Sequence, residues 1–381
     1  MKFKFKKIPI TEFLRQSKGI DILLNVIFFI FLFSLRKINK LFAANEGSII
    51  IIALHKLGDT LFTIPAISEL RQKYRQRFVI VCYPSSIPIY NLAFKDVEYM
   101  VVSREDFYFQ ERIANGRIKK KLKSYNPLVI FDLTGWIISA TLIYNMKSKE
   151  IIGTNIRQFS AIYDKFVQPR MKPKLADIYL DIISPVIETR NLVEEETKPL
   201  SSEHEGNILL HPYAGWVEKE WNFRKFVQLV KKLNPNYCTS ILIPEKSLSA
   251  DNYQELLHLK INIIETKSSE ELIETIKKCS LFIGNDSGPV NIANFLGKPT
   301  LTVYGCTNPD YTSTGVQFQK HIQKELNCSA RTNEKYCLID ADTYYCSGIQ
   351  CMKLLTVDEV YEIIIRMAIK YCRKKSLKSN N

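Results

Sequence analysis

Apolar runs of strand length alternate with helix-like stretches along most of the chain. The first run, S-I-I-I-I-A-L at 48–54, is almost entirely apolar, which is typical of a parallel strand buried on both faces. Further apolar runs in the first half lie at 78–82, 97–102 and 128–131, with helical patterns between them. This alternation predicts an α/β fold built on a doubly wound sheet.

A polar, charge-rich stretch at 188–206 then interrupts the pattern and is predicted to be a linker. Beyond it the pattern restarts, with predicted strands at 207–211, 239–243, 281–283 and 300–304. Helix starts are predicted at three sites: the cap Asn222, the capping box Ser268/Glu271 and the capping box Thr356/Glu359. We therefore predict two Rossmann-like lobes facing a cleft, at 46–190 and 207–355, followed by a C-terminal helix and basic tail at 356–381.

Residues 1–45 form a separate, basic and apolar segment. The run at 20–35 is strongly apolar but shorter than the about 20 residues of a spanning helix, and it carries Asp21, Asn25 and Ser34. Lysines and arginines flank it on both sides, and no small-residue cleavage site follows it, unlike a signal peptide. We interpret it as a helix lying in the cytoplasmic leaflet, attracted to anionic lipid. A buried amphipathic helix packed on the first lobe is the alternative.

The charge balance favours anionic partners. The chain has 53 Lys and Arg against 39 Asp and Glu, a formal net charge of +14. Nucleotides, phosphorylated glycolipid and a membrane surface all fit this charge. No nucleic-acid partner is predicted, because no DNA- or RNA-reading motif accompanies the basic residues.

Nine cysteines in a chain of this length do not indicate a disulfide scaffold, which fits a reducing cytoplasm. Four of them, Cys328, Cys337, Cys346 and Cys351, cluster near the C-terminus. Their spacing lacks the paired C-x-x-C pattern of structural zinc sites. A metal site, a disulfide knot and plain thiols all stay open for this cluster.

The segment G-N-D-S-G-P after the run at 281–283 is the strongest local signal. Gly284 and Gly288 allow a tight strand-to-helix turn, and Pro289 is tolerated at a helix start. The N-terminus of such a helix suits a diphosphate, and Ser287 adds a hydroxyl donor. Close packing of the glycines without a ligand is the alternative.

Three further charged residues follow predicted strands. Asp59 comes after the first strand, where a carboxylate can accept a proton from an acceptor hydroxyl, although an Asp here is also a common helix N-cap. Lys219 is a candidate phosphate clamp, and Glu245 is a candidate partner for a ribose diol. The alternative for both Lys219 and Glu245 is a solvated surface side chain.

Taken together, these stretches resemble glycosyltransferase family 9, the lipopolysaccharide heptosyltransferases. The matching segments are L-G-D-x-L-x-T-x-P at 57–65, K-x-W at 219–221, D-S-G-P at 286–289, L-G-x-P-T at 296–300, G-x-T-x-P at 305–309 and C-M-x-x-x-T-x-x-E-V at 351–360. The resemblance spans about residues 48–365.

The resemblance implies a glycosyltransferase B-type fold with an acceptor-binding first lobe and a nucleotide-sugar-binding second lobe. It implies an inverting mechanism with Asp59 as general base and no required cofactor or metal. The implied donor is ADP-heptose, and the implied acceptor is the lipopolysaccharide core at the inner face of the cytoplasmic membrane. Donor-binding candidates are then Lys219, Glu245, Asp286, Ser287, Gly288, Pro289 and Asn291. Candidates in the acceptor-side loops are Gly58, Thr60 and Asp132.

Three departures from the family pattern bear on the substrate. Asn291 stands where the family usually has His, I-P-E-K-S replaces a glycine-rich stretch at 243–247, and Thr134 stands where Gln is frequent. The alternatives are a catalytically silent nucleotide- or glycolipid-binding relative and a glycosyltransferase that uses another nucleotide sugar.

Overall fold

A computed structural model describes residues 18–110, 112–169, 174–187, 207–330, 334, 336–337, 346 and 348–372, with side chains from residue 23 onward. The predicted linker at 188–206 and the basic residues before 18 lie outside this part of the chain.

Six parallel strands form the first sheet, in the order β3-β2-β1-β6-β7-β8. They are β1 (Ser48–Ile52), β2 (Phe78–Cys82), β3 (Glu98–Val101), β6 (Pro127–Asp132), β7 (Glu150–Gly153) and β8 (Lys165–Phe166). Strands β4 (Phe107–Tyr108) and β5 (Ile113–Ala114) form a separate antiparallel hairpin. The helices of this half are α1 (Lys18–Leu41), α2 (Leu57–Lys73), α3 (Ile87–Ala93), α4 (Gly116–Ser124), α5 (Ile137–Ile143) and α6 (Leu175–Ile183).

The second sheet repeats this plan, in the order β11-β10-β9-β12-β13-β14. Its strands are β9 (Asn207–His211), β10 (Cys238–Pro244), β11 (Asn262–Thr266), β12 (Leu281–Asn285), β13 (Thr300–Tyr304) and β14 (Gln319–Gln323). Its helices are α7 (Phe223–Leu233), α8 (Ala250–His258), α9 (Ser269–Lys277), α10 (Gly288–Phe295), α11 (Pro309–Thr312), α12 (Gln350–Leu354) and α13 (Val357–Tyr371). The two parallel sheets confirm the predicted α/β class.

Each sheet changes direction of winding between its first and fourth parallel strands, β1 and β6 in one and β9 and β12 in the other. In open α/β sheets the crevice outside the carboxyl ends at such a switch point is the usual ligand site. The loops after β1 and β12 therefore lie where the fold by itself favours binding.

One apolar cluster joins the two halves. Ile51 of the first sheet and Phe282 of the second belong to it, together with Leu61 of α2 and Val290 of α10. The helices meet most closely at their first turns, where a β-carbon on Gly58 would lie 3.1 Å from the α-carbon of Gly288. The two helix N-termini thus approach each other across the boundary between the sheets.

All three predicted helix starts are observed, and two of them have the predicted cap in full. Asn222 accepts a hydrogen bond from the Arg224 backbone, and Thr356 and Glu359 form a complete capping box. Ser268 caps α9 by accepting from the Glu271 backbone, but the Glu271 carboxylate accepts from the Lys267 backbone N–H instead of completing the box.

Helix α1 contains the apolar run at 20–35 and packs on the first sheet by one narrow side. Leu32 is buried there, and the buried Arg36 pairs with Asp164. Most of its other apolar side chains are exposed. No helix in the described ranges combines the length and apolarity that crossing a bilayer requires.

Candidate active site between the two sheets

An ion pair between a buried carboxylate and a half-buried lysine lies at the carboxyl end of the second sheet. Asp286 directly follows β12, and its Oδ2 lies 2.5 Å from Nζ of Lys219 in a short 3-10 helix at Val217–Lys219. Thr307 and Thr312 donate hydroxyl hydrogen bonds to the same carboxylate, at 2.8 and 3.4 Å. A buried carboxylate persists only with such partners, so this arrangement fixes the lysine ammonium in place.

The start of α10 carries two polar atoms without partners among the described residues. Ser287 is the N-cap, yet its Oγ makes no capping bond, and Asn291 one turn later leaves its Oδ1 unpaired. Both atoms are buried. Buried polar atoms are rarely left unpaired in proteins, and a helix N-terminus favours negative charge. The Ser287 hydroxyl and the helix N-terminus therefore suit a bound anion, whereas Asn291 Oδ1 can only accept and suits a hydroxyl donor on the ligand.

Asp59 approaches from the first lobe. The helix α2 begins at Leu57 with Lys56 as its N-cap, so Asp59 lies in the first turn and the alternative of an N-cap role is wrong. The Asp59 side chain is exposed, and no hydrogen bond or ion pair holds it within the described part of the chain. Its oxygens are therefore open to a ligand.

His55 lies buried behind Asp59. Its Nε2 is 3.1 Å from the Leu133 carbonyl oxygen, which can only accept, so Nε2 carries the hydrogen. Its Nδ1 then faces the Tyr179 hydroxyl at 3.5 Å. Burial lowers the pKa of His55 to about 4, although the nearby Asp59 charge acts in the opposite direction. This histidine is consequently neutral at pH 7 and cannot neutralise Asp59.

A cavity of about 110 Å³ brings the two sides together. It is lined by Asp59, Leu175, Trp216, Lys219, Asp286, Thr307, Asn308, Tyr311, Thr312 and Tyr336. An exposed carboxylate and a fixed ammonium in one cavity are the elements needed to move a proton on one side and stabilise a departing anion on the other.

Some sequence-predicted residues lie away from this cavity. Glu245 follows β10 and has Lys246 and Lys267 at 3.9 Å, so it has ion-pair partners of its own. Thr60 is buried and bonds to the Lys56 carbonyl and the Ser86 hydroxyl. Neither side chain lines the cavity.

Asp132 is likewise enclosed by its own lobe. Its carboxylate accepts hydrogen bonds from Tyr163 at 2.6 Å and Ser139 at 2.7 Å, and from the Thr134 backbone at 3.0 Å. Burial raises the pKa of Asp132 to about 6, while these hydrogen bonds act to lower it. The carboxyl thus organises the loop after β6 and has no open side toward the cavity.

Sequence reasoning missed the aromatic and hydroxyl lining. Trp216 lies under Lys219, whose Nζ is 4.6 Å from the ring centroid, and Tyr336 packs edge-on against Trp216 at 5.7 Å. Thr307 lies in the quoted G-x-T-x-P segment, which was a usable signal. Tyr336 reaches the site through an antiparallel bridge to Thr307. No local sequence pattern predicts this bridge.

The cysteines are free thiols, including the four near the C-terminus. Burial raises the pKa of Cys337 to about 12, with Cys306, Cys328, Cys346 and Cys351 close enough to raise it further. Among the described residues no group of three or more His, Cys, Asp or Glu side chains is arranged to hold a metal ion.

The chain is similar to known proteins in sequence and in fold. The sequence model of glycosyltransferase family 9 (heptosyltransferase) matches residues 115–339. Lipopolysaccharide heptosyltransferase 1 of Campylobacter coli is 30% identical over 173 residues, covering 42% of this chain and 49% of that protein. Lipopolysaccharide heptosyltransferase 3 of Escherichia coli is 24% identical over 277 residues, covering 66% of this chain and 81% of that protein. This chain therefore spans about half the length of the first relative and most of the second.

The solved structure of E. coli heptosyltransferase WaaC with ADP superposes with a TM-score of 0.60 at 16% identity, covering 84% of this chain and 99% of that one. This similarity shows a shared fold. Since the family model covers more than half of the sequence, the chain belongs to glycosyltransferase family 9.

Proposed function

We propose that this protein is an inverting glycosyltransferase that moves heptose from ADP-heptose onto a lipopolysaccharide or lipooligosaccharide core acceptor. One observation carries the proposal: Asp59 and the Lys219–Asp286 pair line the same cavity from opposite sheets. A single displacement at the anomeric carbon needs a base on one face of the sugar and a stabilised leaving group on the other.

In the proposed reaction Asp59 accepts the proton of an acceptor hydroxyl. The hydroxyl oxygen then bonds to the anomeric carbon as the bond from that carbon to the diphosphate breaks. Because attack and departure take place on opposite faces, the configuration at the anomeric carbon inverts.

The leaving diphosphate gains negative charge as that bond breaks. Lys219 supplies a fixed positive charge, and α10 offers its positive end with the unpaired Ser287 hydroxyl. These groups stabilise the charge without a cofactor, so we assign none. Asp286, Gly288, Pro289 and Asn291 belong to the same donor loop in this proposal.

The nucleotide and the sugar follow the relatives. WaaC was solved with ADP, and both curated relatives are named lipopolysaccharide heptosyltransferases. Glu245 remains our candidate contact for the ribose diol. The acceptor side is assigned to the first lobe, with Gly58 at the cleft edge, while Thr60 and Asp132 would act by shaping the loops around it.

We further propose that the protein works at the inner face of the cytoplasmic membrane, where a lipid-anchored acceptor would be found. The exposed apolar side of α1 supports this assignment, together with the net charge of +14. Replacing Ile30 and Phe31 by Ser should move the protein from the membrane fraction to the soluble fraction. An unchanged distribution would remove α1 as the anchor.

The catalytic proposal is tested by incubating the full chain with a panel of nucleotide sugars and a lipid A–core acceptor. ADP-heptose is expected to give product with inverted anomeric configuration. Transfer from a different nucleotide sugar would replace the proposed donor. A donor that raises the melting temperature without any transfer would identify a catalytically silent binding protein.

A further inference from the structure

Exposed apolar side chains are concentrated in the first half of the chain. Of the twenty-four large apolar side chains that are exposed in the described part of the chain, seventeen belong to α1, the residue after it and the first lobe. Twelve come from α1 and the residue after it, and the others are Tyr108, Phe109, Ile113, Trp136 and Ile156. Exposed apolar side chains in this number are typical of an interaction surface.

The hairpin of β4 and β5 is apolar on both faces. Phe107 and Ala114 pair with each other and are buried against the lobe. Tyr108 and Ile113 form the next pair on the outer face, where both are exposed. Outward positions of a hairpin are normally polar, so this outer face is unusual for a surface in water.

Phe109 extends this apolar face to the hairpin tip. It is 76% exposed and has a φ of 51°, a backbone conformation that non-glycine residues other than Asn and Asp seldom adopt. A large aromatic residue is therefore held outward at a position where neither burial nor backbone preference explains it.

The hairpin is anchored to its lobe at its base. Asp106, just before β4, accepts a hydrogen bond from Arg117 at 3.2 Å, and its carbonyl accepts from the Asn115 backbone at 2.9 Å. The Ala114 backbone donates to the Thr141 hydroxyl of α5 at 3.1 Å. The aromatic tip is thus presented on a fixed support.

Positive charge adjoins the tip. Helix α4 follows the hairpin directly with the sequence G-R-I-K-K-K-L-K-S, and Arg117, Lys120 and Lys123 are exposed along it. Residues 104–123 contain seven Lys and Arg against the three acidic residues Glu105, Asp106 and Glu111. Aromatic side chains beside exposed lysines are the combination that binds the headgroup region of an anionic bilayer.

This hairpin lies in the same layer as α1. One apolar cluster covers one face of the first sheet and contains Leu32 of α1, Phe107 of the hairpin and Leu122 of α4. Elements that cover the same sheet face can contact one flat surface together.

We propose that the outer face of the hairpin (Tyr108, Phe109 and Ile113) with the exposed cations of α4 is a second membrane contact, specific for anionic phospholipid and separate from α1. It deepens the membrane part of the proposed function. Two contacts in one layer fix the orientation of the lobe on the bilayer, which a single helix leaves free to rotate about its own axis.

The hairpin is tested with the full chain and vesicles of phosphatidylglycerol and phosphatidylethanolamine, by cosedimentation. Tyr108→Ser/Phe109→Asn should weaken binding roughly ten-fold or more, because two apolar side chains no longer enter the interface. Asn accepts the φ of position 109, so the melting temperature should not fall. The matched control is Tyr253→Ser/Leu257→Asn, two exposed apolar residues of α8 on the second lobe, which should bind like wild type.

The charge component is tested with Lys120→Gln/Lys123→Gln. On anionic vesicles this variant should bind about 30-fold more weakly, as expected for two lysines near a charged surface. On phosphatidylcholine vesicles it should bind like wild type. Lys231→Gln/Lys278→Gln in the second lobe is the charge-matched control and should change neither affinity.

Two results would overturn the inference. Unchanged vesicle affinity of the hairpin variant would show that α1 alone makes the contact. A lipid-free wild type that sediments as an oligomer, with the hairpin variant sedimenting as a monomer, would assign the surface to a second copy of the chain. Sugar transfer to a soluble, delipidated acceptor is measured in parallel: its absence in wild type would remove the catalytic proposal and leave the hairpin result standing.

Discussion

Asp59 and Asp286 face the same cavity from opposite sheets, and their surroundings are opposite in kind. Asp59 is exposed in the first turn of α2 without a partner among the described residues. Asp286 is buried and bonded to Lys219, Thr307 and Thr312. A general base needs free lone pairs, which Asp59 has. A lysine that stabilises a leaving phosphate must be held in place, and the buried Asp286 does this for Lys219.

The sharpest test of this contrast is to remove the free carboxylate. Asp59→Asn should lower kcat by about 10²–10⁴-fold, the usual contribution of general-base catalysis, with little change in stability. Transfer is followed by chromatography of the glycosylated acceptor. The control Asp96→Asn removes an exposed carboxylate outside the cavity and should retain wild-type turnover. Full activity of Asp59→Asn would refute the general-base assignment.

Removing the fixed charge should have the next largest effect. Lys219→Met should lower kcat by about 10²–10³-fold and cost about 3 kcal/mol of unfolding free energy, because Asp286 stays buried without its cation. Urea unfolding measures the second quantity.

A double variant separates the two contributions of the pair. Lys219→Met/Asp286→Asn removes both charges and should regain most of the lost stability while staying inactive. Recovery of transfer in the double variant would mean that Lys219 acts only through the fold.

Asp132 is a third carboxylate for comparison, because all its hydrogen-bond partners in the described residues belong to its own lobe. Because burial raises its pKa to about 6 from 3.8, the stability it supplies is present below pH 3.8 and is lost as the pH rises through 6. The shift corresponds to about 3 kcal/mol. The difference in unfolding free energy between wild type and Asp132→Asn should therefore fall by about 2 kcal/mol between pH 4 and pH 7.

The stability of the wild type alone would not isolate Asp132, because two buried histidines also make it depend on pH. Burial lowers the pKa values of His55 and His211 to about 4, so their contribution is present above pH 6.5 and is lost as the pH falls through 4. Wild type and Asp132→Asn share this histidine contribution, so it cancels in the difference between them. A difference that does not change with pH would contradict the assignment to Asp132.

The smallest effect is expected where the two lobes touch. Gly58→Ala places a methyl group 3.1 Å from the Gly288 α-carbon, so the helix N-termini must separate slightly. We expect about a five-fold loss of kcat/KM, about 1 kcal/mol. Gly116→Ala is the control, since nothing lies within 4 Å of its new β-carbon. Equal kinetics of the two variants would show that the contact has no role in catalysis.

The sequence predicted the parts of the fold that depend on local pattern. Unbroken apolar runs predicted β1 and β12, and N-capping side chains predicted the starts of α7 and α13. It missed β14, because Q-K-H-I-Q at a sheet edge carries little apolar signal. The short strands β7 and β8 were missed as well, since their pairing partners are distant in sequence.

The residues of the candidate site also fall into those that local sequence predicted and those that it missed. Asp59, Lys219 and the loop at 286–288 were found because each lies in a recognisable motif after a predicted strand. Asp132 ends a strand, but Tyr163 and Ser139 donate hydrogen bonds to its carboxylate, and nothing in the local sequence indicates this. Tyr336 reaches the cavity through a pairing with Thr307, which is distant in sequence.

The sequence alone therefore determined the α/β plan and the strand ends at which chemistry is found, because hydrophobic periodicity and turn residues act over a few positions. Only the tertiary structure decided which carboxylates stay open, which aromatic side chains line the cavity and which apolar surface faces outward. Those outcomes depend on contacts between residues far apart in the chain, and burial and hydrogen bonding are properties of such contacts.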